Sequence, residues 1–553
     1  MGAETDPSSG GTGASADLSS LEDQVVEAVF DLQPTFAVFL GLHRYDGRLP
    51  DLSPAGTDRW VERARTLLGR LERFPVSDLP IPRRFDRTLL SLLLESAVFD
   101  LEDTHDYDRN PMIYVGQISL TPYLVRAYEP ADERVRAMTQ ILEAVPEALE
   151  VGRKRLQPAL PEPFLRLTFA IGGGLPSHFA EAQEFATGTS RELGIAFEKV
   201  RGPAEEAVSA YLGAMRQEYL PRSTSDFALG PARFQRLLWV REGIRSPFDE
   251  ILERGRADLR RNQARLAEIA QGQRPPVPVP DLLERLFREH PTAERLIPQA
   301  RGYVDEVKRF VESRKLVSIP DGATCRVEET PTYGRATSTA SMNPPGPFDE
   351  AGDEGIYFVT PVDPGWTPEQ QEEWLRSFNS PMLRNITVHE VYPGHYLQFL
   401  HFRRSTHSLS RKAYLSTAFT EGWAHYCEQL SVEAGLGAGT AEQEAAQIHD
   451  ALLRDCRLIA SIGLHTQGMT LPEATALFQR EAYFEELPAQ REALRGTFNP
   501  EYFAYTLGKL AILDLRTKYL TTRFGGSLLR FHDQLLSFGC PPVGMLDELI
   551  ETS

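Results

Sequence analysis

The sequence predicts a mainly α-helical protein with a small β-sheet beside its candidate active site, and three observations lead there. Apolar residues recur at spacings of three and four over most of the chain, which is helical periodicity. One short segment, Gly355 to Pro361 (GIYFVTP), is aromatic and β-branched between turn formers and suits a strand. Before it, Ile319 to Asp353 is rich in Gly, Pro, Ser and Thr and reads as a long loop.

Taken in order, residues 1–20 are dominated by Gly, Ser, Thr and Ala and read as a disordered tail. Residues 21–317 form a helical N-terminal lobe, with amphipathic runs such as Val135 to Val145 and Ile251 to Ile269. Its clearest break is Gln273 to Asp281 (QRPPVPVPD), which cannot continue a helix. Residues 318–553 form the lobe that carries the chemistry. It begins with the loop and strand, and helices resume from Thr367.

Composition narrows the function classes. At 553 residues, with 41% hydrophobic and 25% charged residues, the chain is an ordinary globular protein. A formal net charge of −19 argues against a nucleic-acid partner, because phosphate neutralisation needs a basic face. No run of 18 or more apolar residues occurs, and the N-terminus has neither a basic nor an apolar signal region. No membrane partner is therefore expected, and the cytoplasm is the expected compartment. Cys325, Cys427, Cys456 and Cys540 are scattered and read as reduced, buried thiols.

Two segments carry chemistry: Asn385 to Leu400 (NITVHEVYPGHYLQFL) and Thr420 to Leu430 (TEGWAHYCEQL). A zinc hydrolase needs neutral imidazoles and a carboxylate as ligands, an open position for water, and a nearby carboxylate base. HExxH on a helix supplies two ligands and the base from one face. Here His389 and His395 are six apart, so a regular helix would point them to different sides. Pro393 and Gly394 force a distortion, and looping out the two extra residues restores the facing of the pair. On the next helix, about Lys412 to Val432, Glu421, His425 and Glu428 share one stripe. Glu421 as third ligand is the gluzincin arrangement, with His425 as the reserve ligand. His425 and Glu428 otherwise form a supporting hydrogen-bond network.

HExxPGH, then EGWAxYxE, RxxxxxGLHxxG and YxxYxLGKL, together resemble a large bacterial family of unknown-function domains. That family is sometimes grouped with zinc peptidases and is similar to the gluzincins of thimet oligopeptidase and Taq carboxypeptidase type. The resemblance runs from Gly41 to Gly539. It implies one Zn2+ per chain, held by His389, His395 and Glu421, with Glu390 as the base. It also implies, together with the helical pattern, two helical lobes enclosing a deep cleft. The family pattern has Asp where this chain has Ser461.

Other candidates are softer. Arg457, Ser461 and His465 fall on one helix face, so Arg457 and His465 could look toward the cleft. His465, Tyr505 or Tyr502 could hold an oxyanion; each has an equally ordinary packing role. Arg335 could bind a substrate carboxylate, and the strand around Tyr357 could pair with an extended peptide as an edge strand. His43, Tyr45 and Asp46 either line the cleft or form a turn.

The expected function is hydrolysis of peptide bonds in short peptides or peptide-like amides by an oligopeptidase, dipeptidase or carboxypeptidase. The alternatives are a zinc hydrolase of a non-peptide amide or ester, and an inactive peptide-binding pseudoenzyme. Oligomeric state is open.

Overall fold

Helical periodicity is realised along nearly the whole chain in a computed structural model that describes residues 8–335, 338–350, 352–405 and 407–553. The runs at 135–145 and 251–269 lie inside the helices Ala131–Arg155 and Phe248–Gln271. Apolar residues collect mainly in two clusters that divide near residue 220, with a small third one of Leu89, Leu92 and Tyr414. One gathers side chains from Leu18 to Tyr219, with Ala413. The other joins Phe85, Phe99 and Phe164 to side chains from Phe227 to Ile550, and it contains the chemistry-bearing helices. Among the described residues, no helix is long and apolar enough to cross a membrane.

Five expectations need correction. Residues 8–20, assigned to a disordered tail on composition, begin the helix Ser8–Leu32; residues 1–7 lie outside the described residues. Leu18, Leu21, Val25 and Val26 are buried at helical spacing, and burying them outweighs the weak local propensity. The break at 273–281 is shorter than expected. Val279 already opens the helix Val279–Phe287, whose Pro280 sits in the first turn, where no amide is needed. The segment 319–353 is not wholly loop, since it contributes strands β1 (Cys325–Glu329) and β2 (Ala340–Asn343).

The fourth correction concerns β3 (Gly355–Val359), the strand expected to bind peptide at an edge. The sheet order is β1-β3-β2, so β3 is central. Tyr357 pairs with Val327 on the parallel side and Met342 on the antiparallel side. Every residue of β3 is buried, and both its hydrogen-bonding edges are taken.

Five helices build the site: α1 (Ser380–Glu390), α2 (His395–Arg404), α3 (Thr417–Glu433), α4 (Ala441–Thr466) and α5 (Ala504–Tyr519). The expected single helix from Lys412 is split. A short helix, Leu409–Ala413, ends before Ser416, whose hydroxyl caps α3 by accepting from the Phe419 amide.

Candidate metal centre

The turn between His389 and His395 is where the local sequence does the most. Helix α1 stops at Glu390, Val391 leaves helical geometry (φ −115, ψ −82), Tyr392–Pro393 is cis, and α2 starts at His395. The Gly394 amide donates back to the Val388 carbonyl at 3.0 Å. A Cβ on Gly394 would sit 1.8 Å from the His389 carbonyl oxygen, so only glycine permits this approach. The result is an elbow that brings the two imidazoles edge to face, with centroids 4.7 Å apart.

Helix α3 is pinned against this elbow and against α5. The Trp423 indole donates to the Pro393 carbonyl at 2.9 Å, so the Trp of EGW holds the PG of the first motif. On the other side, Gly422 meets Gly508. A Cβ on Gly422 would lie 2.3 Å from the Gly508 Cα, and one on Gly508 would lie 1.7 Å from the Ala418 carbonyl oxygen. The glycines of EGW and LGK are therefore a helix-crossing contact. Buried Glu242 reinforces the start of α3, accepting from the Ala418 amide at 2.9 Å and the Ser416 hydroxyl at 2.5 Å.

His389, His395 and Glu421 offer ligand atoms within 4.8 Å of one another. Each imidazole Nε2 is 3.5 Å from the same Glu421 oxygen, Oε2. That oxygen and His395 Nδ1 are buried with no hydrogen-bond partner among the described residues. Tetrahedral zinc with bonds near 2.1 Å sets its ligand atoms roughly 3.4 Å apart, so the three groups fit one ion. Burial pulls the His389 imidazole down, but Glu421 and Glu428 outweigh it and hold its pKa up at about 10. Glu421 stays well below the usual carboxylate range despite burial, because two imidazoles face it. The field at this point calls for positive charge, which a cation supplies without protonating the ligands.

Behind the triad lies a buried polar layer. Glu428 accepts from His389 Nδ1 at 2.7 Å, which turns the Nε2 lone pair toward Glu421. The same carboxylate contacts His425 Nδ1 at 3.2 Å and Arg454 at 3.0 Å, and Arg454 continues to Asp450 at 2.5 Å. His425 is held well below its ordinary pKa, by burial first and then by the Lys509 charge. It belongs to this layer and does not join the triad. Lys509, from LGKL, is buried against Asp258 at 2.6 Å.

The softer candidates separate. Tyr505 stacks on His389 at 6.4 Å, and Arg457 lies over the Tyr505 ring while gripping Glu492 with two 2.8 Å bonds. Arg457 thus supports Tyr505 and has its own carboxylate. Tyr357 is buried on β3, where burial first, with the Glu390 charge adding, pushes its phenol up. Three expectations are corrected. Both ring nitrogens of His465 are committed to backbone, accepting from the Leu229 amide at 3.3 Å and donating to the Gly496 carbonyl at 2.8 Å. Eleven residues along α4 from Arg454, it stands roughly 16 Å further on. Tyr502 packs its hydroxyl against Gly496 near His465 rather than at the triad. Arg335 is tied to its own loop through the Thr330 carbonyl at 2.8 Å and Glu329 at 3.0 Å. Ser461 donates to the Pro500 carbonyl at 2.6 Å, a packing role.

His43 and Asp46 are read by the structure as a tether. His43 bridges Asp46 and Asp349 at 3.2 Å each, and Arg126 links Asp349 to Asn343 on β2. The sequence reading missed Arg454, Asp450, Glu242 and Lys509. The available signal was charge on otherwise apolar faces, of Asp450 and Arg454 on α4, of Lys509 on α5 and of Glu242 at the end of the helix Pro231–Glu242.

Two solved structures share this fold. One, a "putative lipoprotein of unknown function" from Shewanella oneidensis, is 24% identical with TM-score 0.78, covering 96% of this chain and 99% of that one. The other, a "putative lipoprotein" from Colwellia psychrerythraea, is 17% identical with TM-score 0.79, covering 97% and 98%. No curated protein matches the chain. Residues 34–550 match the family described as bacterial protein of unknown function (DUF885), and the chain belongs to that family.

Proposed function

We propose that the protein is a zinc-dependent hydrolase of peptide bonds in short peptides or peptide-like amides, with the gluzincin ligand set His389, His395 and Glu421. The observation that carries this reading is the triad itself, its ligand atoms within 4.8 Å and His389 oriented from behind by Glu428. Zinc held there supplies Lewis acidity, which acidifies water and polarises a carbonyl. Glu390, next to the first ligand and 9% exposed, takes the proton of the attacking water as its oxygen adds to the carbonyl carbon. It returns that proton to the amide nitrogen as the C–N bond breaks, leaving an acid and an amine. The Tyr505 phenol, stacked beside His389, donates to the developing oxyanion.

Two apolar clusters dividing near residue 220 support a two-lobed body with the site in a cleft between the lobes, which favours short substrates. The lipoprotein names of the two similar structures stand against the cytoplasmic placement expected from composition. Fractionation of cells expressing the full-length protein decides between the two compartments.

The test is metal content by elemental analysis of protein purified without added metal, beside Glu421→Ala and His395→Ala. About one zinc per chain, lost in both variants, together with peptide-library turnover abolished by Glu390→Gln, is the expected result. Wild-type protein that neither carries zinc nor takes it up overturns the reading.

A further inference from the structure

We infer that Arg495 recognises the C-terminal carboxylate of the substrate, so that this site removes the last one or two residues of a peptide. The inference rests on the hydrolase reading above.

Three arginines surround the Tyr505 ring and phenol, and two of them hold carboxylates of this chain. Arg454 holds Glu428 and Asp450, and Arg457 grips Glu492 through two 2.8 Å bonds. Arg495, on the helix Glu486–Phe498, makes no ion pair among the described residues. Its guanidinium donates to the Tyr505 hydroxyl at a long 3.4 Å and adds its charge, without a bond, to the Glu492 carboxylate that Arg457 already grips. A half-buried guanidinium with no carboxylate bonded to it is unusual beside so many paired ones, and its planar fork suits a carboxylate from outside the chain.

Its position fits. Tyr505 spans from the face of His389, 6.4 Å away, to Arg495. Glu421, the most exposed of the three ligands, also acts on the Tyr505 phenol through its charge. The Glu421 side chain is 25% exposed, against 9% for His389 and 12% for His395, and Tyr505 and Arg495 are half-buried. A terminal carboxylate lies one residue, roughly 3.8 Å of chain, beyond the scissile carbonyl. One or two residues therefore bridge from a carbonyl at the triad to Arg495. Loss of a charge-assisted hydrogen-bond pair corresponds to roughly 10- to 100-fold in affinity or rate.

The experiment uses full-length zinc-loaded protein and N-acetyl tripeptides, each as free acid and as C-terminal amide. Expected is a preference for acids of roughly 10- to 100-fold in kcat/KM. Arg495→Met should bring the acid-to-amide ratio of kcat/KM down to about one, slowing acids far more than amides, and Arg495→Lys should restore part of the preference. Acids and amides cleaved alike, with Arg495→Met slowing both equally, would overturn the inference and leave the hydrolase reading standing. The same peptide pairs are also titrated calorimetrically into Glu390→Gln protein, with and without Arg495→Met. If nothing is cleaved, the hydrolase reading fails. Tighter binding of acids that disappears in Arg495→Met still sustains the carboxylate site, and equal or absent binding overturns it.

Discussion

Glu428 shows how one residue sets the character of the centre. It is fully buried and serves His389, His425 and Arg454 at once. Removing it leaves a buried guanidinium and two imidazoles without their shared acceptor. Glu428→Ala should cost about 3–5 kcal/mol of stability, the usual range for breaking a buried pair. Glu428→Gln should cost less but still weaken zinc binding about 10- to 100-fold, since the His389 tautomer is no longer enforced. Urea denaturation and zinc competition with a chelator measure the two effects separately. The tyrosines give a second contrast. Tyr505→Phe should lower kcat by about 100-fold with KM little changed, as loss of an oxyanion donor does. Tyr502 has a buried hydroxyl with no partner among the described residues, so Tyr502→Phe should leave kcat unchanged and stability equal or slightly higher. Equal kinetic losses in both variants would remove Tyr505 from the oxyanion role.

At the level of elements, glycines decide whether the helices can meet. Gly508→Ala would push a methyl into the Ala418 carbonyl, and Gly394→Ala would push one into the His389 carbonyl. Neither neighbour is a flexible side-chain end, so each variant should lose about 1–3 kcal/mol or more and bind zinc poorly. Gly302, inside the exposed face of the helix Ala293–Arg314, meets nothing within 4 Å. Gly302→Ala should therefore gain about 0.5–1 kcal/mol by removing unfolded-state freedom. Thermal unfolding of the three variants is the check, and a harmless Gly508→Ala would mean that α3 and α5 separate more easily than the crossing suggests.

Across the whole molecule, buried neutral histidines set the acid limit. Burial lowers His178, His407, His465 and His532 to about 4. Their unfolded value is about 6.5, so between 6.5 and 4 the unfolded chain binds more protons than the folded one. Their contribution is then full above pH 6.5 and falls as pH drops toward 4, opposed in part by the two buried carboxyls of Asp106 and Glu242, which burial holds up at about 7. The urea midpoint should decrease steadily from pH 7 to pH 4.5, and His532→Gln should flatten that slope. A flat profile in the wild type would place these rings in contact with water.

Much of this was legible because it is local. Helical content follows from spacing, β3 from its composition, and the broken helix at Pro393–Gly394 from the chemistry of those two residues. The motif residues, with the family resemblance they carry, nominated His389, Glu390, His395 and Glu421. What the sequence could not decide depends on contacts between segments far apart in the chain. Whether β3 was edge or centre depended on two weakly patterned strands, β1 and β2. Whether His465 or Tyr505 faced the triad depended on the packing of α4 and α5, since helical spacing places both residues on plausible faces. Arg454, paired through α3 and α4, and Arg495, left unpaired beside α5, look alike in sequence. An arginine's meaning lies in the carboxylate that reaches it or fails to, and only the tertiary arrangement supplies that.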